Sequence, residues 1–365
     1  MSDTSKRFHE VRKSLAGLFP NCADGNVARH LNTLTAMICG IVGSQRTNLP
    51  QVASQAPAQG ILQEILIKRF SRWVNNDQIT QELYFLPYTE ALLACFSHLP
   101  VTLVIDGSAV GRRCVALVIS VVYKKRALPV AVLVRQGNKG HFAEEDHLEL
   151  TEQVQTLIPT HQDVTFLGDG EFDGTALLKR IVLWDWHYVC RTAKNSLITK
   201  HGHTFQLQTR TVSQGQWQHF ENVDFTQDAY GPVQAIIWWE KGYDEPLYLI
   251  SNISKPIQAV RLYKRRFSIE TLFSDQKSRG FHLHKSHLCD PARIQRLMIP
   301  TCLAYIWIVY LGIIAKEGGY VCFIHRLKRC DLSLFQLGLR MLARCFNEEE
   351  DLPEDIYIWE FGPFS

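Results

Sequence analysis

The stretch VTLVIDGSAVGRRCVALVISVVYKKRALPVAVLVRQG, residues 101–137, decides the fold class. Within it VTLVIDGS (101–108), RCVALVISVVY (113–123) and ALPVAVLVRQG (127–137) are β-rich runs with turn residues between them. β-Branched and aromatic side chains suit a pleated, buried surface. The spacing predicts three consecutive strands, the latter two joined as a hairpin across KKR. Downstream, DHLELTEQVQTLI (146–158) reads as a helix, and DVTFLGDGEFDG (163–174) as a strand running into a Gly-rich turn. TALLKRIVLWD then reads as a helix and HYVCRTA as a strand. A hairpin followed by alternating helix and strand predicts a mixed α/β core.

Residues on either side change character. Residues 5–80 carry helical periodicity, in VARHLNTLTAMICGIV and ILQEILIKRFSRWVNN, broken by the Gly/Pro/Gln/Ser-rich SQRTNLPQVASQAPAQG. They predict a small helical module. Between 200 and 250, TFQLQTRTV, VQAIIWWE and PLYLISNI alternate or run apolar with Gly, Asn and Asp between them, which predicts a β-rich insert. From about 257 to about 345 the pattern is helical throughout. The organisation expected is a helical module (1–80), a first core part (81–199), a β-rich insertion (200–255), a helical part (256–345) and an acidic tail (346–365).

Composition narrows the function classes. With 46% hydrophobic and 21% charged residues over 365 positions, the chain has ample core for an ordinary globular protein. The formal net charge of +3 is unevenly placed. Residues 251–300 hold ten Lys/Arg against three Asp/Glu, and residues 101–140 hold seven basic residues against Asp106 alone. Residues 1–80 carry a net +4, and the last twenty residues hold seven acids and no base. Basic blocks flanking isolated acids point to a polyanionic partner. Ten cysteines form no C-x-x-C pair and no signal peptide opens the chain, so reduced thiols in a cytoplasmic protein are expected. LMIPTCLAYIWIVYLGIIA (297–315) has no charge over nineteen residues, long enough for a span. Pro300, Thr301 and two tyrosines within it, and Arg293, Arg296, Lys316 and Glu317 beside it, fit the central helix of a large core better. No membrane is expected.

The chemistry concentrates in YKRRFSIETLFSDQK (263–277) and two Asp-Gly turns. On a helix, Tyr263, Arg266, Glu270 and Lys277 fall within an arc of about 60°, while Ile269, Leu272 and Phe273 face elsewhere. Such a stripe is either a solvated face with i,i+4 ion pairs or a functional surface. Asp106 follows the strand VTLVI and precedes Gly107; Asp169 follows VTFL between Gly168 and Gly170. Each Asp-Gly alone could be a simple turn. Acids at the ends of core strands are placed where α/β sheets build their sites. Three converging carboxylates, Asp106, Asp169 and Glu270, repel unless cations hold them. Mg²⁺ or Mn²⁺ are the natural occupants, and two such ions suit phosphoryl transfer.

The spacing Y-x2-R-x3-E-x6-K at Tyr263, Arg266, Glu270 and Lys277 resembles the YREK signature of DDE transposases of the insertion-sequence-four type. VIDGS and FLGDGEFDG resemble that family's first and second Asp motifs, and the element order over about residues 80–345 is similar to its ribonuclease H-like core with an insertion before the Glu. The resemblance implies an α/β ribonuclease H-like catalytic core, a β-rich insertion, and helical amino- and carboxy-terminal parts. It implies a DNA transposase that cuts the ends of its own mobile element and joins them to a target, with two Mg²⁺ (or Mn²⁺) ions held by Asp106, Asp169 and Glu270. Tyr263, Arg266 and Lys277 would grip phosphates beside the cleaved strand. Relatives with this signature release flanking DNA through a hairpin, which needs a base held on an aromatic ring; Trp238 and Trp239 are the residues considered, with core packing an equal alternative for each. The partners implied are double-stranded DNA (terminal inverted repeats and target) and a second copy of the chain, as a homodimer on two DNA ends. Two other readings remain: a metal nuclease of the same fold without strand transfer, and a transposase-derived DNA-binding protein.

Weaker signals surround these. FHLHKSHLCD gathers His282, His284, His287 and Cys289 in a spacing that matches no compact zinc pattern. Phosphate or base contacts suit that loop better. Asp173 and Glu171 share the second Asp motif and could replace Asp169, which directly follows the strand. Asp275 reads as structural, and Cys190 has no identifiable base partner.

Overall fold

The computed structural model describes residues 3–19, 25–57, 60–137, 142–326 and 330–348. Most of the acidic tail expected at 346–365 lies outside them. Six helices open the chain: α1 (Asp3–Leu18), α2 (Gly25–Ser44), α3 (Leu49–Ser54), α4 (Gln63–Asn75), α5 (Gln81–Tyr84) and α6 (Leu86–Ala94). The apolar runs then form β1 (Val101–Gly111), β2 (Cys114–Tyr123) and β3 (Arg126–Gln136). Next come α7 (Glu144–Gln155), β4 (Val164–Gly168), α8 (Thr175–Leu183) and β5 (His187–Arg191). The β-rich region supplies β6 (Leu197–Lys200), β7 (His203–Gln206), β8 (Trp217–Phe225), β9 (Tyr230–Trp238) and β10 (Leu247–Ser251). Helices α9 (Pro256–Lys264), α10 (Ser268–Gln276), α11 (Pro291–Glu317), α12 (Val321–Ile324) and α13 (Leu334–Asn347) complete the described chain. The fold is mixed α/β, one large sheet with many helices.

All ten strands share one sheet, in the order β3-β2-β1-β4-β5-β10-β9-β8-β6-β7. The hairpin β2–β3 and the pair β1–β2 are antiparallel, whereas β1, β4 and β5 run parallel. The region read as an insert extends this same sheet, because β10 pairs with β5 through Ile250 and Cys190. The strand β2 is buried along its whole length, as a continuous apolar run should be when both faces are covered.

The outer edge of β3 would expose unpaired backbone groups. Two glutamine amides cover it. Gln81 donates to the Val132 carbonyl and accepts from the Val132 amide, and Gln295 donates to the same carbonyl and accepts from the Val134 amide. Gln81 belongs to α5 and Gln295 to α11, so the edge is closed by the first and last thirds of the chain together. Arg296 adds a second tie, donating to the carbonyls of Val74 in the last turn of α4 and of Ile79 just beyond it.

Among the described residues one helix, α11, is long and apolar enough to cross a membrane, and 94% of its most apolar window is buried inside the fold. It packs on α13, α2, α4 and β3. Its crossing with α13 is a backbone contact: a Cβ at Gly312 would lie 1.8 Å from the Leu334 carbonyl oxygen, and one at Gly338 would lie 1.8 Å from that of Ile308. Only glycine permits this approach.

The continuous helix expected from 257 to 345 is corrected by the structure. A 3-10 turn at Arg265–Phe267 separates α9 from α10, and residues 277–290 form turns and a second 3-10 segment before α11. The physical reason lies outside the helix. Arg265 donates to Thr102 Oγ1 at 2.8 Å and Arg266 to Asp106 at 3.1 Å, so neighbouring arginines are both drawn onto β1. The tighter 3-10 turn accommodates that pull.

Candidate active site

Strand β1 is buried from Val101 to Ile105 and emerges at Asp106. Asp106 lies within the strand rather than past its end, still paired with Val118 of β2. On its other side β1 parts from β4. Their pairing runs to Val104 opposite Leu167, and the same register two residues on brings Asp106 level with Asp169. The acids thus flank the opening between two parallel strands, which run about 4.8 Å apart while paired. Gly168 lets the chain turn there, since a Cβ on it would lie 2.6 Å from the Phe172 Cβ.

This opening leads into a cavity of about 660 Å³ lined by Asp106, Ser108, Glu144, His147, Asp169, Glu171 and Asp173, among others. The acids there differ in their engagement. Glu144 accepts from the amides of Ala176 and Leu177, capping α8. Glu171 accepts from the Phe142 amide at 2.6 Å and lies 3.7 Å from His147 Nε2. Burial raises the pKa of Asp173, with Thr192 hydrogen-bonding against that shift. Among the described residues the Asp169 carboxylate accepts from the amide of Glu171 alone, at 3.1 Å, which leaves it the most available in the second motif. Asp106 accepts from the Gly107 amide at 2.7 Å. Its carboxyl is pushed up to about 6, first by burial and next by the charge of Asp169, with Arg266 opposing and Glu270 adding.

Glu270 reaches this centre through Arg266. One guanidinium nitrogen of Arg266 lies 3.1 Å from Asp106 Oδ2 and the other 2.7 Å from Glu270 Oε1. Burial works against the charge of Arg266, and Tyr263, Asp106, Asp169 and Glu270 more than offset it, raising its pKa. Tyr263 is buried, with the guanidinium carbon of Arg266 6.0 Å from its ring centroid. Its hydroxyl pKa is raised by burial. Tyr263 is therefore placed as a prop under Arg266 rather than as an open surface residue. Lys277, just beyond α10, donates to Ser108 Oγ on the cavity wall. Burial lowers its pKa and Asp106 raises it in part. The expected stripe is thus not one helix face. Four side chains from α9, a 3-10 turn, α10 and its C-cap converge on β1.

The remaining residues fall elsewhere. Trp238 is buried at the end of β9 with the Lys264 ammonium 4.8 Å from its ring centroid, and Trp239 donates its indole N–H to the Tyr243 carbonyl at 2.8 Å. Neither lines the acidic cavity. Among the described residues the exposed tryptophan is Trp217 on β8, paired opposite Trp238 and lining a separate groove with Pro256, Ile257 and Arg261. Asp275 is buried and pairs with Arg126 at 3.1 Å, tying α10 to β3. Cys190 is buried and its thiol is pushed far up by burial. The His282 and His284 rings lie 5.9 Å apart on the loop before α11. Sequence reasoning missed Glu144, His147 and Trp217. The first two start a helix whose pattern reads as ordinary, and the third opens a strand that also carries Phe220 and Phe225, so it does not stand out.

The mixed sheet thus opens between Asp106 and Asp169, with Arg266 and Lys277 beside the opening. A family model described as the transposase DDE domain matches residues 101–307. That is more than half of the chain, which belongs to this family of DDE transposases. No curated protein matches the chain. Among solved structures, the cryo-EM structure of a piggyBac transposase synaptic complex with hairpin DNA is similar over 99% of this chain and 84% of that one, at 13% identity and a TM-score of 0.48. The crystal structure of human ENDOV is similar over 61% of this chain and 96% of that one, at 14% identity and a TM-score of 0.23.

Proposed function

We propose that the chain is a transposase of the insertion-sequence-four type, with Tyr263, Arg266, Glu270 and Lys277 as its YREK set. It would cut DNA at the ends of its mobile element, pass through a hairpin, and join the ends to target DNA. The strand order β3-β2-β1-β4-β5, with β1, β4 and β5 parallel, supports a ribonuclease H-like core. On this reading residues 200–255 are an insertion and residues 1–80 bind DNA.

The observation that carries the proposal is Arg266 bridging Asp106 and Glu270, with Asp169 level with Asp106 across the opening of the sheet. The donor set suits hard divalent cations: oxygen ligands only, partly buried, with Asp106 raised to about 6 by burial and by the other carboxylates. Among the described residues no three His, Cys, Asp or Glu side chains are gathered as a ready metal site. Arg266 accounts for this, since it answers the charge of Asp106 and Glu270 itself. Asp106, Asp169 and Glu270 would hold two Mg²⁺ or Mn²⁺ ions. When bound, the ions would activate a water or 3′-hydroxyl and stabilise the leaving oxygen. Arg266 would then turn from the carboxylates to a phosphate, where its planar fork gives bidentate contacts. Lys277, steadied by Ser108, would add a point charge beside the same strand. Tyr263 would keep Arg266 from collapsing into the sheet. No side chain here needs to form a covalent link to DNA.

The test is cleavage and binding with DNA carrying the element's ends. Asp106→Asn, Asp169→Asn and Glu270→Gln should each abolish cleavage in Mg²⁺ and leave end-binding largely intact, because phosphate contacts survive. Normal cutting by Asp169→Asn would reassign the second acid to Asp173. Cleavage without joining would favour the nuclease reading.

A further inference from the structure

A second cavity, of about 430 Å³, lies between α2 and α4, lined by Arg29, His30, Thr33, Arg69, Arg72, Trp73 and Asn76. Its origin is simple. Positions 69, 72, 73 and 76 are spaced i, i+3, i+4, i+7 and form one stripe of α4. That stripe crosses the face of α2 carrying Arg29, His30 and Thr33. Three guanidiniums and no carboxylate meet there.

Among the described residues none of the three arginines makes an ion pair. Arg29 donates to Asn26 and Arg69 Nε to Thr33 Oγ1 at 2.8 Å. Arg69 is half-buried, and burial lowers its pKa, so it is desolvated without a counter-ion. Trp73 is only 3% exposed, yet its indole Nε1–H is buried without an acceptor. A buried N–H left unpaired is rare and costly. His30 is already held at both ring nitrogens, by Tyr84 at 2.7 Å and Asn76 at 3.3 Å, so the pocket wall is fixed. Arg72 also complements the carbonyl end of α4. That role explains one arginine and leaves two.

We infer that this pocket is a phosphate-binding site, in which Arg29, Arg69 and Arg72 clamp a backbone phosphate of duplex DNA. Three guanidiniums gathered on one small pocket with no carboxylate suit the concentrated charge of a phosphodiester better than a single base edge. The inference rests on the transposase reading and deepens it, by naming where the helical module would hold DNA away from the acidic cavity.

The experiment is fluorescence anisotropy of a labelled mixed-sequence duplex over a series of salt concentrations, since phosphate contacts are independent of sequence. The combined variant Arg29→Gln, Arg69→Gln, Arg72→Gln should bind about tenfold or more weakly at physiological salt, with a salt slope shallower by about 1 for the one phosphate lost. Arg72→Gln alters a single exposed side chain of the pocket and should weaken binding severalfold. Arg69→Lys should fall between wild type and the combined variant, and these two single variants decide the matter if the combined one does not fold. Wild-type binding with unchanged affinity and slope in every variant overturns the pocket and leaves the transposase reading standing. A wild-type chain that does not bind duplex DNA overturns the transposase reading, and the pocket with it. Thermal stabilisation by inorganic pyrophosphate that duplex DNA cannot compete away would make this a small-anion site and overturn the DNA assignment.

Discussion

Asp106 must carry a charge where burial and two other carboxylates oppose it. Its folded-state pKa is raised from the ordinary carboxylate value to about 6, so the folded protein holds this proton more tightly than the unfolded chain does. The resulting penalty is absent at pH values below the unfolded value, grows as pH rises between about 4 and about 6, and reaches roughly 3 kcal/mol above that window. In metal-free protein, Asp106→Asn should therefore melt above wild type at pH 7 to 8, and the gain should vanish near pH 4. Melting curves across that range check it; a variant less stable than wild type at pH 7 contradicts the account. Stability given up at one residue is a common mark of a functional site. The acids themselves were legible in the sequence because Asp-Gly after an apolar run and a glutamate amid arginines are local patterns. Arg266 as the bridge between Asp106 and Glu270 was not, because residues 160 positions apart make that contact.

The strands of residues 101–137 and the helices of the first eighty residues follow their sequence patterns, since each is specified by local periodicity. The breaks do not. Arg265, Arg266 and Phe267 are tolerable helix residues, and nothing in their identities announces a 3-10 turn; their contacts with Thr102 and Asp106 impose it. Equally, the sequence shows an alternating β region after residue 200 but gives no sign that β10 will pair with β5 and make one sheet. The crossing of α11 and α13 was hidden for a further reason: its glycines look like blemishes in apolar helices until the backbone distance is known. Gly312→Ala would place a methyl 1.8 Å from the Leu334 carbonyl oxygen, and the helices would have to part. The expected loss is about 1–3 kcal/mol, read as a lower denaturant midpoint in equilibrium unfolding. Because α11 also carries Gln295 and Arg296, the same variant should loosen the edge of β3, seen as faster amide exchange at Val132 and Val134. An unchanged midpoint would mean that the two helices have slack the close contact does not suggest.

At the scale of the whole molecule, the helical module and the sheet are joined rather than tethered. Gln81 closes the edge of β3, Arg296 reaches back to the end of α4, and α2 packs on α11. The cationic pocket of α2 and α4 is thereby fixed in position relative to the acidic cavity of β1 and β4. This sharpens the question of how two element ends are processed together. If both basic regions line one groove on one duplex, a single chain can hold and cut the same end. If they serve different duplexes, one subunit grips its own end with the helical module and cuts the end held mainly by its partner. With these contacts in place the two regions keep one separation, so the two arrangements predict different outcomes when subunits are mixed. We expect the second arrangement, with a homodimer assembled on two DNA ends. The check is to mix a Glu270→Gln subunit, which binds but should not cut, with the Arg29→Gln, Arg69→Gln, Arg72→Gln subunit, which retains its acids but should not hold an end well. Neither alone should give appreciable product. In the mixture, the Glu270→Gln subunit can hold an end while the other supplies intact acids across the dimer, so cleaved product should return to a substantial fraction of the wild-type yield. Mixed subunits that assemble together on DNA and still release no product would show that each chain cuts only the end it holds.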